Sequence, residues 1–263
     1  MKLGKKPIRK RSVPLSEAKF MQKNLLVCGA MPDLIKALII DVDGTLFPLD
    51  HPFFKARRLA QYRWLCQRLD LSMSDLVRII ACEEEKLSAK GNGNRVCFSR
   101  IVYSLDPTIE CAEWQEAMTK SVPLHDFNSR LRQNDELEEA ISCLTADRCE
   151  GVKIVFATNA SAGTAKIALK MLFGARQFDH GMFGVVGHDQ KISKPDPDFF
   201  TQLVGPALRQ KGVQLKNAIS IGDRLGDDGY AAVKAGVSAA VIVNGPNDLA
   251  AVLRGIHQLR QGV

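Results

Sequence analysis

Two acids one residue apart, Asp41 and Asp43, follow directly on the apolar run Leu38-Ile39-Ile40. An unpaired buried charge is costly, so a pair of carboxylates where an apolar strand stops reads as a site. In a parallel sheet, ligands bind in the crevice beyond the carboxyl ends of the strands. Gly44 permits a sharp exit from the strand at that point. The chemistry suggested is one acid attacking while the other moves a proton. An ordinary Asp-Gly turn after a strand is the bland alternative, and this stretch alone does not choose between them.

Polar groups recur at comparable places. The apolar stretch Val152–Ala157 ends in Thr158-Asn159, and Ala218–Ile221 ends in Gly222-Asp223 with Asp227 and Asp228 close behind. Lys194-Pro195 stands just before another helical stretch. Strand tips of one parallel sheet share an edge, so groups far apart in the chain can converge there. Attack by a carboxylate on a phosphate monoester brings two anions together, and their repulsion must be neutralised. Mg²⁺ suits that task because it prefers oxygen ligands and bridges carboxylate to phosphate. The acids of 223–228 together with Asp41 can supply its site. Lys194 can add a second positive charge, and Thr158 can donate a hydrogen bond to a phosphoryl oxygen. Asp43 would protonate the leaving oxygen and then deprotonate the water that cleaves the aspartyl-phosphate.

The elements that must position these groups follow from periodicity. Residues 35–41 form the first strand. Residues 51–149 then read as helices: Leu59, Tyr62, Leu65 and Leu69 recur at helical spacing, as do Leu76, Ile79, Ile80 and Leu87 after a cap at Ser74. Further helices are expected over 95–105, 108–120 and 134–144. From residue 152 strands and helices alternate: strands over 152–157, 182–186, 218–221 and 239–243, helices over 161–173, 197–210, 227–235 and 246–260. Such alternation predicts an α/β fold, a Rossmann-like parallel sheet with helices on both faces. Residues 25–50 and 150–263 form that core, 51–149 an inserted all-helical cap, and 1–24 a basic tail.

Four segments carry a resemblance. Asp41-Val42-Asp43-Gly44-Thr45, Phe156-Ala157-Thr158-Asn159-Ala160, Ser193-Lys194-Pro195-Asp196-Pro197 and Ile221-Gly222-Asp223 through Asp227 resemble, in order, the four motifs of the haloacid dehalogenase-like phosphatases. The resemblance implies Asp41 as nucleophile, Asp43 as general acid/base, and Thr158, Asn159 and Lys194 as phosphate contacts. It implies Mg²⁺ held by Asp41, the Asp43 carbonyl and Asp223. Gly226 departs from the pattern, which often has Asn or Asp there. Asp227 matches the second acid of the fourth motif by spacing, with Asp228 able to share or replace it in the outer metal shell. Arg224 occupies a place often held by Ser. About 117 residues separate Asp41 from Thr158 and 36 separate Thr158 from Lys194, which puts the helical insertion between the first two motifs. Relatives with such a cap include phosphoglycolate phosphatase, β-phosphoglucomutase and the pyrimidine 5′-nucleotidases, whose caps close over the site.

The expected substrate is a small phosphorylated metabolite, either a sugar or organic-acid phosphate or a nucleoside 5′-monophosphate. Dehalogenase chemistry is disfavoured because those enzymes lack the second acid of the first motif. In the loop 88–95, Lys90 or Arg95 could reach a substrate, although a plain turn explains its glycines. His51, His125, His180, His188 and His257 show no ligand spacing. Trp64 and Trp114 sit at helical core positions.

Composition bounds the rest. At 46% apolar residues a packed core is expected. No apolar run approaches the ~20 residues that cross a bilayer, so no membrane partner is expected. Seven scattered cysteines without a Cys-x-x-Cys pair favour reduced thiols in a cytoplasmic protein. The net charge of +7 resides in residues 1–24, which hold eight Lys/Arg and one acid. That segment reads as a disordered tail, with a transit peptide or an upstream start as alternatives. A non-catalytic regulatory protein binding nucleic acid through this tail is the competing function. No nucleic-acid contact is expected elsewhere, and monomer and homodimer both fit.

Overall fold

The structure, a computed structural model, describes residues 26–32, 34–48, 52–90, 96–122, 135–145, 151–173, 183–188 and 192–261. The basic segment 1–24, the glycines of the 88–95 loop, and His51, His125 and His180 lie outside the described residues.

Six strands form one sheet: β1 (Leu26–Gly29), β2 (Ala37–Ile40), β3 (Lys153–Ala157), β4 (Phe183–Val186), β5 (Ala218–Gly222) and β6 (Ala239–Ile242). Their order is β1-β6-β5-β2-β3-β4. Every pairing is parallel except that of β1 with β6. The antiparallel edge strand β1 is not legible in the sequence, because four residues show no resolved alternation. It closes on β6 through Gly29, whose φ is +84° and where a Cβ would stand 2.3 Å from the Ser238 carbonyl oxygen.

Side chains of adjacent strand residues point to opposite faces, and each face has its own core. Leu38, Ile40, Ile154, Phe156, Ile219 and Ile221 pack on one side. The helices α5 (Asp135–Thr145), α6 (Ala162–Phe173) and α9 (Pro246–Gln261) cover them. Ala37, Ile39, Val155 and Ala157 face the other side. There they meet a π-turn, Phe199–Val204, running into α7 (Gly205–Gln210), and the short α8 (Ala231–Lys234). The α/β architecture with helices on both faces is therefore as the sequence predicts.

Helices α1 (Pro52–Leu69), α2 (Met73–Lys90), α3 (Phe98–Leu105) and α4 (Cys111–Lys120) make a third cluster around Leu65, Leu76, Ile101 and Trp114. Pro52 starts α1, where a missing N–H costs nothing. Ser72, rather than the expected Ser74, caps α2, its Oγ accepting from the Asp75 N–H at 3.1 Å. Trp64 and Trp114 contact each other at 5.4 Å between ring centroids. The Trp114 indole donates to the Ser99 hydroxyl at 3.0 Å, which satisfies its one polar group inside the cluster. Leu59 does not join it and is exposed. Helix α5 sides with the sheet instead: Leu137, Ala140, Ile141 and Leu144 belong to the core that α9 completes.

Candidate active site

Strand β2 lies between β3 and β5, with Ile40 level with Phe156 on one side and Ile221 on the other. The residues that follow these three strands therefore emerge side by side. This is a topological switch point: the chain leaves β2 toward β3 and later returns to β2's other edge as β5. Asp41, Thr158 and Asp223 stand at the three adjacent tips.

Gly44 turns the chain back at φ +97°, and its N–H donates to the Phe47 carbonyl at 3.0 Å. The Asp41 side chain is thereby held in place rather than carried off along an extended strand. Its Oδ2 accepts from the Thr45 hydroxyl at 3.2 Å. Its Oδ1 lies 2.5 Å from Lys194 Nζ. The same ammonium donates to Asp228 Oδ1 at 2.6 Å and to the Ala157 carbonyl at 3.0 Å, so all three of its protons are used. Lys194 and Asp228 are buried almost completely.

Three carboxylates, Asp41, Asp223 and Asp228, each offer an oxygen within 4.8 Å of the others. Burial pushes Asp41 up to about 7, with Asp228 and Asp43 adding to the rise and Lys194 opposing it. Burial, then Asp41, takes Asp223 up to about 6. Asp228 is raised as well, burial being the main cause. Burial works against the charge of Lys194, but Asp228 and Asp41 outweigh it and raise its value. Three oxygen acids around one lysine are short of positive charge, and an oxygen-seeking divalent cation fits that donor set.

The acid that joins the cluster is Asp228, the sequence's alternative to Asp227, which spacing favours for the outer metal shell. Residues Leu225–Tyr230 form a π-turn rather than an α-helical start. Widened by one residue, this turn brings Asp228 under β5, where a Cβ on Gly222 would stand 2.2 Å from its carboxyl carbon. Glycine at 222 is what makes room for that carboxylate. Asp227 instead lies 3.6 Å from Arg224, which also reaches Asp223 at 3.7 Å.

Thr158 is fully buried at the mouth of β3, its Oγ1 accepting from the Ala160 N–H at 3.0 Å. Its hydroxyl proton remains available to a ligand oxygen. The side chain of Asn159, a residue expected to contact phosphate, is engaged with the backbone of Lys194. Its Oδ1 accepts from the Lys194 N–H at 2.8 Å and its Nδ2 donates to the Lys194 carbonyl at 3.0 Å. The amide thus clamps the backbone that carries the lysine. Asp43 does not join the carboxylate cluster; its Oδ2 pairs with Arg57 Nη2 of α1 at 2.8 Å. Nothing in the sequence marked Arg57, which is fourteen residues away on another element.

These groups open on a polar cavity of about 290 Å³. Arg57, Arg58, Gln61 and Tyr62 of α1 line it together with Asp41, Thr158 and Lys194. The Phe98 ring bordering it carries the Arg58 guanidinium at 3.7 Å. The insertion is seated on the sheet beside the cavity. Thr119 Oγ1 meets Ser161 Oγ at 3.2 Å, and Gln115 donates to the His188 carbonyl at 3.1 Å.

Residues 35–236 match the family described as haloacid dehalogenase-like hydrolase. A protein of Methanopyrus kandleri named glyceraldehyde 3-phosphate phosphatase is 28% identical over 221 residues, spanning 81% of this chain and 85% of its own. Among solved structures, a HAD phosphatase from Thermococcus onnurineus is 20% identical with a TM-score of 0.43, covering 78% of this chain and 85% of its own. A 2-haloacid dehalogenase from Pseudomonas syringae is 19% identical with a TM-score of 0.47, covering 86% and 100%.

Proposed function

This chain belongs to the haloacid dehalogenase-like hydrolases, and from that premise we propose that it is a phosphatase that hydrolyses phosphate monoesters through a phosphoryl group carried on Asp41. The observation that carries the reading is Lys194 Nζ held between Asp41 and Asp228, at 2.5 and 2.6 Å, at the floor of the cavity. A lysine so placed neutralises a buried nucleophile that must approach an anion.

Asp41, Asp223 and Asp228, with the Asp43 backbone carbonyl, would hold Mg²⁺. When bound, the ion supplies positive charge to nucleophile and phosphate together. Asp41 attacks phosphorus, Thr158 donates to a phosphoryl oxygen, and Lys194 screens the two anions. Asp43 gives its proton to the leaving oxygen as the ester P–O bond breaks. It then takes a proton from the water whose oxygen bonds to phosphorus. The acyl-phosphate bond breaks, releasing inorganic phosphate and restoring the Asp41 carboxylate. Asp227 has its charge committed to Arg224, and Asn159 acts by holding Lys194 in place. Helices α1–α4 act as the cap over the cavity.

The polar lining of the cavity favours a small sugar or organic-acid phosphate over a nucleoside monophosphate. Its bordering aromatic face at Phe98 is already covered by Arg58. The name of the Methanopyrus relative, a triose phosphate phosphatase, supports the same class. The test is turnover of p-nitrophenyl phosphate with Mg²⁺, followed by a panel of glyceraldehyde 3-phosphate, phosphoglycolate and nucleoside monophosphates. Asp41→Asn is expected to lose turnover by at least about 10³-fold while keeping the fold. Activity retained in that variant would remove Asp41 as nucleophile.

A further inference from the structure

Arg57 is nearly buried, and its guanidinium sits in an aromatic box. Its Cζ lies 4.8 Å from the Phe54 ring centroid and 5.6 Å from that of Phe53. Both rings pack on Phe47, at 5.1 and 5.9 Å. Phe47 in turn pairs with Asp43 through an isolated bridge at the turn that follows the first strand tip. One set of rings therefore fixes both the arginine and the backbone that bears its partner. Their contact is lopsided: Nη2 to Oδ2 is 2.8 Å, whereas Nη1 to Oδ1 is 3.5 Å. One carboxylate oxygen is anchored and the other is only loosely held, and both residues line the cavity.

Resting on the phosphatase reading above, we propose that Arg57 is the positioning residue for Asp43. It anchors Oδ2 so that Oδ1 is the atom that carries the proton to the leaving oxygen and takes one from water. Arginine holds its proton at any working pH, so it serves as a fixed fork and not as a second acid. Because Arg57 rides on the first helix of the insertion, the aim of the acid/base at the strand tip depends on the seating of α1. A misaimed proton carrier slows catalysis without weakening binding of the phosphate.

The experiment compares wild type, Arg57→Ala and Arg57→Lys on p-nitrophenyl phosphate and on an alkyl phosphate, with Mg²⁺ present. Arg57→Ala is expected to lower kcat roughly 10- to 100-fold on the alkyl ester, with KM changed less than about threefold. The loss should be smaller on p-nitrophenyl phosphate, whose leaving group needs no proton to depart. Low millimolar guanidinium should restore part of the Arg57→Ala activity, and Arg57→Lys should fall between the two. A circular dichroism spectrum and melting curve matching wild type show that the variant is folded. Should Arg57→Ala not fold, the leaving-group dependence of Arg57→Lys gives the same reading. A raised KM with kcat unchanged makes Arg57 a substrate anchor and overturns the proposal. Equal losses on both esters without guanidinium rescue also overturn it. A wild-type chain without turnover overturns the phosphatase reading itself. An active wild type with unaltered variants overturns only the role of Arg57.

Discussion

Lys194 is the residue on which the buried charges balance. It is the ammonium between two carboxylates that burial alone drives toward the neutral form. Removing one partner of a buried ionic group typically costs about 3–5 kcal/mol, because charge is left uncompensated. Lys194→Met is therefore expected to lose that order of stability in urea denaturation at pH 8 without metal, and to lose turnover. Mg²⁺ should return part of the stability by supplying the missing charge, but not the activity. A Lys194→Met chain as stable as wild type at pH 8 would show that Asp41 and Asp228 are not both charged there. The sequence shows Asp41, Thr158, Lys194 and Asp223 at the ends or starts of elements because apolar runs stop visibly. It offers Asp228 only as the alternative to Asp227, since counting residues from Asp223 presupposes an α-helical turn where the chain makes a π-turn. Nor does it show what Asn159 holds, or that Asp43 meets Arg57, since both depend on contacts between separate elements.

At the scale of elements, the order of strands and helices is legible because buried parallel strands show as short continuous apolar runs and amphipathic helices carry a periodic signal. The side of the molecule that a helix joins is not. Residues 134–144 read as one more helix of the insertion, yet α5 packs against α9, since an apolar stripe does not name its partner. The seam between insertion and sheet is equally silent in the sequence. There α4 approaches the start of α6 so closely that a Cβ on Gly163 would lie 2.5 Å from Thr119 Oγ1. That oxygen is already tied to the Gln115 carbonyl at 2.8 Å, so it cannot easily turn away. Gly163→Ala should therefore cost roughly 1–3 kcal/mol and disturb the seating of α4. Thr119→Ala removes the obstructing atoms, and in the double variant most of the loss should be recovered. A double-mutant cycle in thermal or urea melts reads the coupling, expected at about 1 kcal/mol or more. Additive effects would place the strain elsewhere.

Over the whole molecule, the site and the stability of the fold are linked through protons. The ordinary carboxyl value for both Asp41 and Asp223 is 3.8, and in the folded chain they rise to about 7 and about 6. Between those limits the folded chain binds more protons than the unfolded one. The part of the stability that these two carboxyls carry accordingly falls as pH rises through that window and levels off above about 7. In EDTA the melting temperature is therefore expected to drop from pH 5 to pH 8 by more than it does in Asp41→Asn, where one of the raised carboxyls is gone. Bound at the site proposed above, Mg²⁺ should act in the opposite sense, because it would compete with protons for the same oxygens. Its half-saturating concentration should fall as pH rises from 5.5 to 7.5. At a hundredfold excess over its dissociation constant it contributes about 2.7 kcal/mol, so the rise in melting temperature at fixed Mg²⁺ should be larger at pH 8 than at pH 5. Scanning fluorimetry at the two pH values, with and without the ion, measures all of these shifts together. An increment from Mg²⁺ equal at both pH values would mean that the ion is held away from Asp41 and Asp223. The buried carboxylates would then be a cost to the fold that the metal does not relieve.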